Sequence, residues 1–224
     1  MGFLWSTFIY IILLLATILA GIGIFLIYFM FSSGANQSIL TGSNLSTSTI
    51  LVISIIGLFV WFMEAGLNAA LASSYKDAIN GRKTSLIQFY GNAIKLAGDS
   101  FKVDFIKKAI LFIIVGIPVI IYFMFLKSYQ YVDVLVLLHS LLWIFLINML
   151  FAPAITYVGA YNLSVMPALK RGMNFIQRKH INFIALYFLF AVLWVLNFVP
   201  LVGLASVFLG FPILYGAVVA SLES

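Results

Sequence analysis

Between Phe3 and Phe31 the chain carries no charged residue, and apolar runs of this kind recur along its length. About 20 such residues in helical form cross the ~30 Å hydrocarbon core of a bilayer. In lipid, every backbone polar group must find its partner inside the protein, so a single-run span of this length is a helix. Of 224 residues, 64% are hydrophobic and 8% charged, against about a quarter charged in soluble domains. A water-soluble fold has no polar surface with which to cover so much apolar area. The expected fold is therefore all-α: one polytopic integral membrane bundle over residues 1–224, with about six transmembrane helices.

The spans read as about 3–31, 50–74, 103–126, 132–158, 181–199 and 201–221. The first reads as a retained helix. Met1 to Ser6 lack Lys and Arg, and the run far exceeds the ~7–15 apolar residues of a signal peptide. Ala16, Ala20 and Gly23 give it a small-residue face, and Gly203, Gly210 and Ala217 do the same for the last span; small faces let helices approach closely. Ser32 to Thr49 is polar, uncharged and rich in Ser, Thr, Gly and Asn, which reads as a loop. Pro118 is expected to kink span three, with neighbouring helices or water satisfying the carbonyl it frees.

Two segments between spans are basic. In Tyr75 to Lys102, residues Leu86, Phe89, Tyr90, Ala93, Ile94 and Ala97 recur at helical spacing between Gly81 and Gly98. The pattern predicts an amphipathic helix lying on the membrane surface. Gly159 to His180 predicts a second, with Ser164 and Pro167 at its start. These segments and their flanks hold every Lys and Arg of the 12 except Lys127. Basic residues accumulate in cytoplasmic loops, so both amphipathic helices and both termini are expected in the cytoplasm, in a multi-pass protein of the cell membrane. Asn36-Gln37-Ser38 and Asn44-Leu45-Ser46 are glycosylation acceptor patterns on the side thereby assigned outside, and Asn162-Leu163-Ser164 is a silent one inside. Spans two and three, and spans four and five, each enclose a basic segment and end on Ile117-Pro118 and Val199-Pro200, a faint internal repeat.

Glu64 is the most informative residue. It lies roughly 21 Å from the outer end of span two at 1.5 Å per residue, where an acid is costly and faces the bundle or a watery cavity. Asn68 and Tyr75 share its helix face. Asn148 lies at a similar depth in span four, roughly 24 Å from the outer end, within reach of a hydrogen bond to Glu64. Two readings stand: a proton or cation site, or a protonated acid that bonds neighbouring helices. No second acid is expected at that depth. His139, roughly 10 Å below the outer surface, reads as a neutral ring bonded to a neighbouring helix.

With no cysteine in the chain, disulfides, thiol catalysis, iron–sulfur clusters and cysteine zinc sites are excluded. His139 and His180 fall on opposite membrane sides, so no histidine metal pair is expected. No metalloprotease, nucleophile-elbow, phosphate-loop or dinucleotide motif appears, and no cofactor is called for. The net charge of +6 reads first as membrane orientation. Arg82, Lys83, Lys95, Lys170 and Arg171 are candidate contacts for anionic lipid headgroups, or for nucleic-acid phosphates, which no motif supports. Phe89, Tyr90, Phe101, Phe105 and Phe175 interleave with them as membrane anchors.

Three short motifs carry a resemblance: Gly81-Arg82-Lys83-Thr84-Ser85, Pro167-Ala168-Leu169-Lys170-Arg171-Gly172 and the Pro200-Leu201-Val202-Gly203 turn. In their order the chain resembles, over residues 50–222, the multi-span families related to the membrane domain fused to some glycerophosphoryl diester phosphodiesterases. The resemblance implies an architecture; the phosphodiesterase domain itself is absent, and its activity does not follow. The isoleucine-rich, cysteine-free composition and uncharged outer loop also look archaeal, which adds a polytopic subunit of a DNA-import apparatus as an alternative. The leading expectation is a non-enzymatic channel or transporter component, or a subunit of a membrane assembly with itself or other membrane proteins. A lipid-binding or lipid-modifying protein is the rival.

Overall fold

The structure is a computed structural model that describes residues 2–31, 47–126, 132–178 and 217–221, with helical positions at 184, 185, 188, 189 and 192. Its elements are α1 (Gly2–Phe31), α2 (Thr47–Ile79), α3 (Leu86–Leu111), α4 (Ile117–Ile121), α5 (Val132–Tyr161) and α6 (Val165–Arg178). Two π-helical segments, Phe112–Gly116 and Tyr122–Leu126, flank α4 and join it to α3 without a break. Among the described residues, four helices are long and apolar enough to cross a membrane: Leu4–Ile24, Ser48–Ile79, Leu86–Phe125 and Val132–Tyr161. The expected spans 181–199 and 201–221 fall mostly outside the described residues, as do Asn36 and Asn44.

One expected boundary changes. Tyr75 to Lys102 does not form a surface helix separate from a span beginning at Val103. α2 runs on to Ile79, and the next helix runs unbroken from Leu86 into the apolar stretch. The turn between them is built from local signals. Gly81 takes φ 74°, Arg82 N–H donates to Asp77 O at 2.8 Å, and Gly81 N–H donates to Ala78 O at 3.2 Å. This is the Schellman pattern that closes a helix on a left-handed glycine. Ser85 then opens α3 with a capping box: its hydroxyl accepts from Gln88 N–H, and the Gln88 side chain accepts from Ser85 N–H. A Cβ on Gly81 would meet nothing within 4 Å, so the cost of Gly81→Ala is purely conformational. It is expected to lower stability by about 1 kcal/mol, read as a fall in the thermal midpoint of the purified protein.

α3 lies along α2 at a constant antiparallel register. Asn92 Nδ2 reaches Ser73 Oγ at 3.4 Å, Ser100 Oγ donates to Ala65 O at 2.7 Å, and Trp61 Nε1 donates to Asp104 Oδ2 at 2.5 Å. Small residues permit this closeness. A Cβ on Gly66 would stand 2.5 Å from the Ala93 carbonyl oxygen and 3.0 Å from Ala97 Cβ. The apolar positions read as a membrane-facing stripe therefore divide. Phe89, Ala93 and Ala97 are buried against the bundle, while Leu86, Tyr90 and Ile94 remain exposed.

α1 runs antiparallel to α2, with Gly2 against Ala78 and Gly21 against Ile56 and Val60. Two side-chain bonds lock the pair: Thr7 Oγ1 with Tyr75 OH at 2.6 Å, and Tyr10 OH donating to Asn68 Oδ1 at 2.9 Å. α5 packs on α2 with Gly159 over Ala69 and Ala72, and the Lys76 ammonium sits 3.8 Å from the centre of the Tyr161 ring. Asn162, at φ 51°, takes the left-handed turn into α6. α6 folds back along α5, with Ala168 in a cluster with Val103, Ala154 and Val158, and Phe175 against Met149 and Ala152. Its buried residues Ala168, Gly172 and Phe175 share one face, and Lys170 and Arg171 are exposed.

The core lies toward the end of the bundle that carries the Gly81 turn. There Ile9, Leu67, Leu71, Tyr75, Phe89 and Val219 pack together. Gly2 and residues 217–221 thus lie at the same end as Lys76, Arg82 and Lys83.

Candidate functional site: a polar cavity between three helices

A cavity of about 240 Å³ opens where α2, α3 and α5 meet. α2 contributes Glu64, Ala65 and Asn68, and α5 contributes Asn148, Ala152 and Ile155. α3 contributes Ser100, Asp104, Lys107 and Lys108. Drug-sized ligands occupy sites of about 300–1,000 Å³, so this volume suits hydrated ions and small polar solutes.

Asp104 is the most heavily bonded group in it. Lys107 Nζ pairs with Oδ1, and Lys108 Nζ lies 3.1 Å from Oδ2, the oxygen that also accepts from Trp61. An Asp three and four residues ahead of two lysines places all three on one helix face. The side chains of Asp104 and Lys107 are 12% and 13% exposed. Lys108 is half-exposed and lies 4.1 Å from the Trp61 ring centre, a cation–π distance. Phe101 completes the aromatic wall at 4.7 Å from Trp61.

Glu64 differs from Asp104. It is half-buried on the cavity wall, and among the described residues it has no hydrogen-bond or ion-pair partner. Asn68 is held by Tyr10, and the Asn148 amide donates to Ile144 O at 2.8 Å. Glu64, Asn68 and Asn148 line one cavity, with no hydrogen bond between Glu64 and Asn148 among the described residues, and Tyr75 turns instead to Thr7 on α1. The expectation that Glu64 has no second acid at its depth is corrected: Asp104 lines the same space. The reason is the early start of α3, which carries Asp104 roughly 27 Å along the helix from Leu86 at 1.5 Å per residue.

His139 is apart from this cavity. Its Nε2 lies 3.1 Å from the Ile114 carbonyl oxygen. That oxygen is the acceptor that Pro118, lacking an N–H, does not satisfy four residues on. A carbonyl only accepts, so Nε2 carries the proton in this contact. The basic candidates Arg82, Lys83, Lys95, Lys170 and Arg171 are all exposed and do not line the cavity.

Trp61, Ser100, Asp104, Lys107 and Lys108 were not singled out by sequence reasoning. The signal was present: Ser85 and Gln88 form a capping-box pair, and from there Phe89, Ala93, Ala97, Ser100 and Asp104 continue one helix face. The cavity also marks a level in the bundle. Ile50 to Met63 and Ala109 to Leu126 are free of charge, and these two runs end beside the cavity, at Glu64 and Lys108.

Among the described residues, no group of three or more His, Asp or Glu stands close enough to hold a metal ion. Comparison with protein-family models, curated proteins and solved structures gave no match.

Proposed function

We propose that this chain is a multi-pass membrane protein, its termini on the cytoplasmic side, that serves as a non-enzymatic channel or transporter component. The lengths of the four apolar helices support the membrane setting. The gathering of Gly2 and residues 217–221 at the basic end supports the orientation. The observation that carries the functional reading is Glu64, without a partner among the described residues, in a polar cavity whose other acid is fully engaged. Buried polar groups are normally paired, and an unpaired acid at the edge of an apolar region is a site for a proton or a small cation. In this reading the charge-free runs form the layer in lipid, and the cavity is its cytoplasmic vestibule. Asp104, Lys107 and Lys108 hold the vestibule open with a fixed ion cluster, and Glu64 exchanges the transported charge.

The test is flux. Purified protein in sealed vesicles carrying an internal pH dye, under an imposed potassium diffusion potential, should conduct protons or a small monovalent cation. Glu64→Gln should lower that flux at least about tenfold, a loss of 1.4 kcal/mol or more in the rate-limiting step, and leave the thermal midpoint nearly unchanged. Equal flux from the parent and the variant, or none from the parent, would sink the reading.

A lipid-binding role is a second reading, favoured by the exposure of Arg82, Lys83, Lys95, Lys170 and Arg171 toward one end of the bundle.

A further inference from the structure

A second hollow lies outside the cavity. It is a groove of about 680 Å³ between α3 and the start of α6. Phe101, Phe105 and Ile106 form one wall, and Val165 and Met166 the other. The polar rim consists of Asp99, Lys102 and Ser164. Asp99 Oδ1 and Lys102 Nζ stand 3.8 Å apart, the aspartate half-exposed and the lysine exposed. The amides of Val165 and Met166 belong to the first turn of α6, where N–H groups lack an acceptor within the helix, and Pro167 offers none.

We propose that this groove holds one phospholipid with a zwitterionic, amine-bearing headgroup, an acyl chain lying along the phenylalanines. The proposal rests on the membrane setting given above and is independent of the Glu64 cavity. Three observations select the occupant. The apolar wall continues, one helical repeat on, into the exposed Phe112 of the charge-free run, so the groove opens onto the surface that faces acyl chains. The rim lies roughly 10–15 Å along the helix from Ala109, where that run begins, at 1.5 Å per residue, on the headgroup side of the hydrocarbon core. The rim carries one base and one acid side by side. Lys102 and the first amides of α6 suit a phosphate. Asp99, beside that phosphate, opposes a headgroup with no compensating cation and pairs with one that has an amine. A phosphatidylethanolamine satisfies both, whereas phosphatidylglycerol leaves Asp99 facing the phosphate.

The experiment is native mass spectrometry of the full chain released from nanodiscs made with equal phosphatidylethanolamine and phosphatidylglycerol. The parent should retain one lipid, with phosphatidylethanolamine favoured about fivefold, the scale of one well-placed charge contact. Asp99→Asn should abolish the preference and keep the lipid. Lys102→Gln should lower retention of both lipids about fivefold. Met166→Trp, which fills the groove from an exposed position, should displace the lipid. Because Lys102 and Met166 are exposed and Asp99 is half-exposed, these changes leave folding intact. Retention of phosphatidylglycerol over phosphatidylethanolamine, a preference unmoved by Asp99→Asn, or release of a lipid-free dimer would each overturn the assignment. Failure of vesicle flux would leave this result unaffected, so the two proposals fall separately.

Discussion

Gly159→Ala is expected to destabilise the bundle by about 2–3 kcal/mol, although alanine is the better helix former. At Gly159 the backbone of α5 crosses α2 so closely that a Cβ would fall on the Ala69 carbonyl oxygen and 2.7 Å from Ala72 Cβ. Neither neighbour can rotate away. One is backbone and the other is a Cβ, so α5 must move off α2 as a unit, loosening the wall of the polar cavity. The same substitution at Gly98 has the opposite sign. A Cβ there meets nothing within 4 Å, and Gly98→Ala should add roughly 0.5–1 kcal/mol through helix propensity alone. Thermal unfolding of both variants in one detergent makes the comparison. A Gly159→Ala protein that melts at or above the parent would show that the α2–α5 crossing is looser than described.

The second large effect is expected at Asp104. Asp104→Ala removes the shared acceptor of Lys107, Lys108 and Trp61. The Lys107 ammonium, with its side chain 13% exposed, is left without its counter-charge. Breaking a buried pair from one side costs about 3–5 kcal/mol, most of it the penalty of the orphaned charge. The double variant Asp104→Ala/Lys107→Met should therefore be more stable than Asp104→Ala alone, recovering more than half of the loss. A double-mutant cycle by denaturant unfolding measures the coupling. If Asp104→Ala costs less than about 1 kcal/mol, water already screens the cluster, and it contributes little to the fold.

The helices were legible because apolar run length and charge are local properties of the chain. Pro118 announced an unsatisfied carbonyl, and the structure supplies His139 to it. The boundary within 75–126 is not marked by hydropathy, because the switch in composition near Val103 falls inside a continuous helix. Hydropathy reports the solvent around a helix, not its continuity. The Ser85–Gln88 cap was the better guide. Glu64, Asn68 and Asn148 could be paired by depth, because the rise per residue fixes depth along a helix. Trp61 and Asp104 could not, because their meeting depends on the register between α2 and α3. Gly66, Ala93 and Ala97 set that register, and nothing along a single helix reveals which small residues will face one another.

The two left-handed turns, at Gly81 and Asn162, have a consequence for the order of assembly. Each closes a pair of neighbouring helices through a few residues, and the entropy lost on closing a loop rises with its length. The α2–α3 and α5–α6 hairpins are therefore the earliest units able to form as the chain is synthesised, each around contacts close in sequence. Ala69 and Ala72 belong to one unit and Gly159 to the other, so their crossing is a late docking step. The polar cavity does not exist until that step is complete. A slowed docking step would leave Glu64 and Asp104 exposed on the α2–α3 hairpin, apart from Asn148 on the other, in a partly assembled protein that quality-control proteases can recognise.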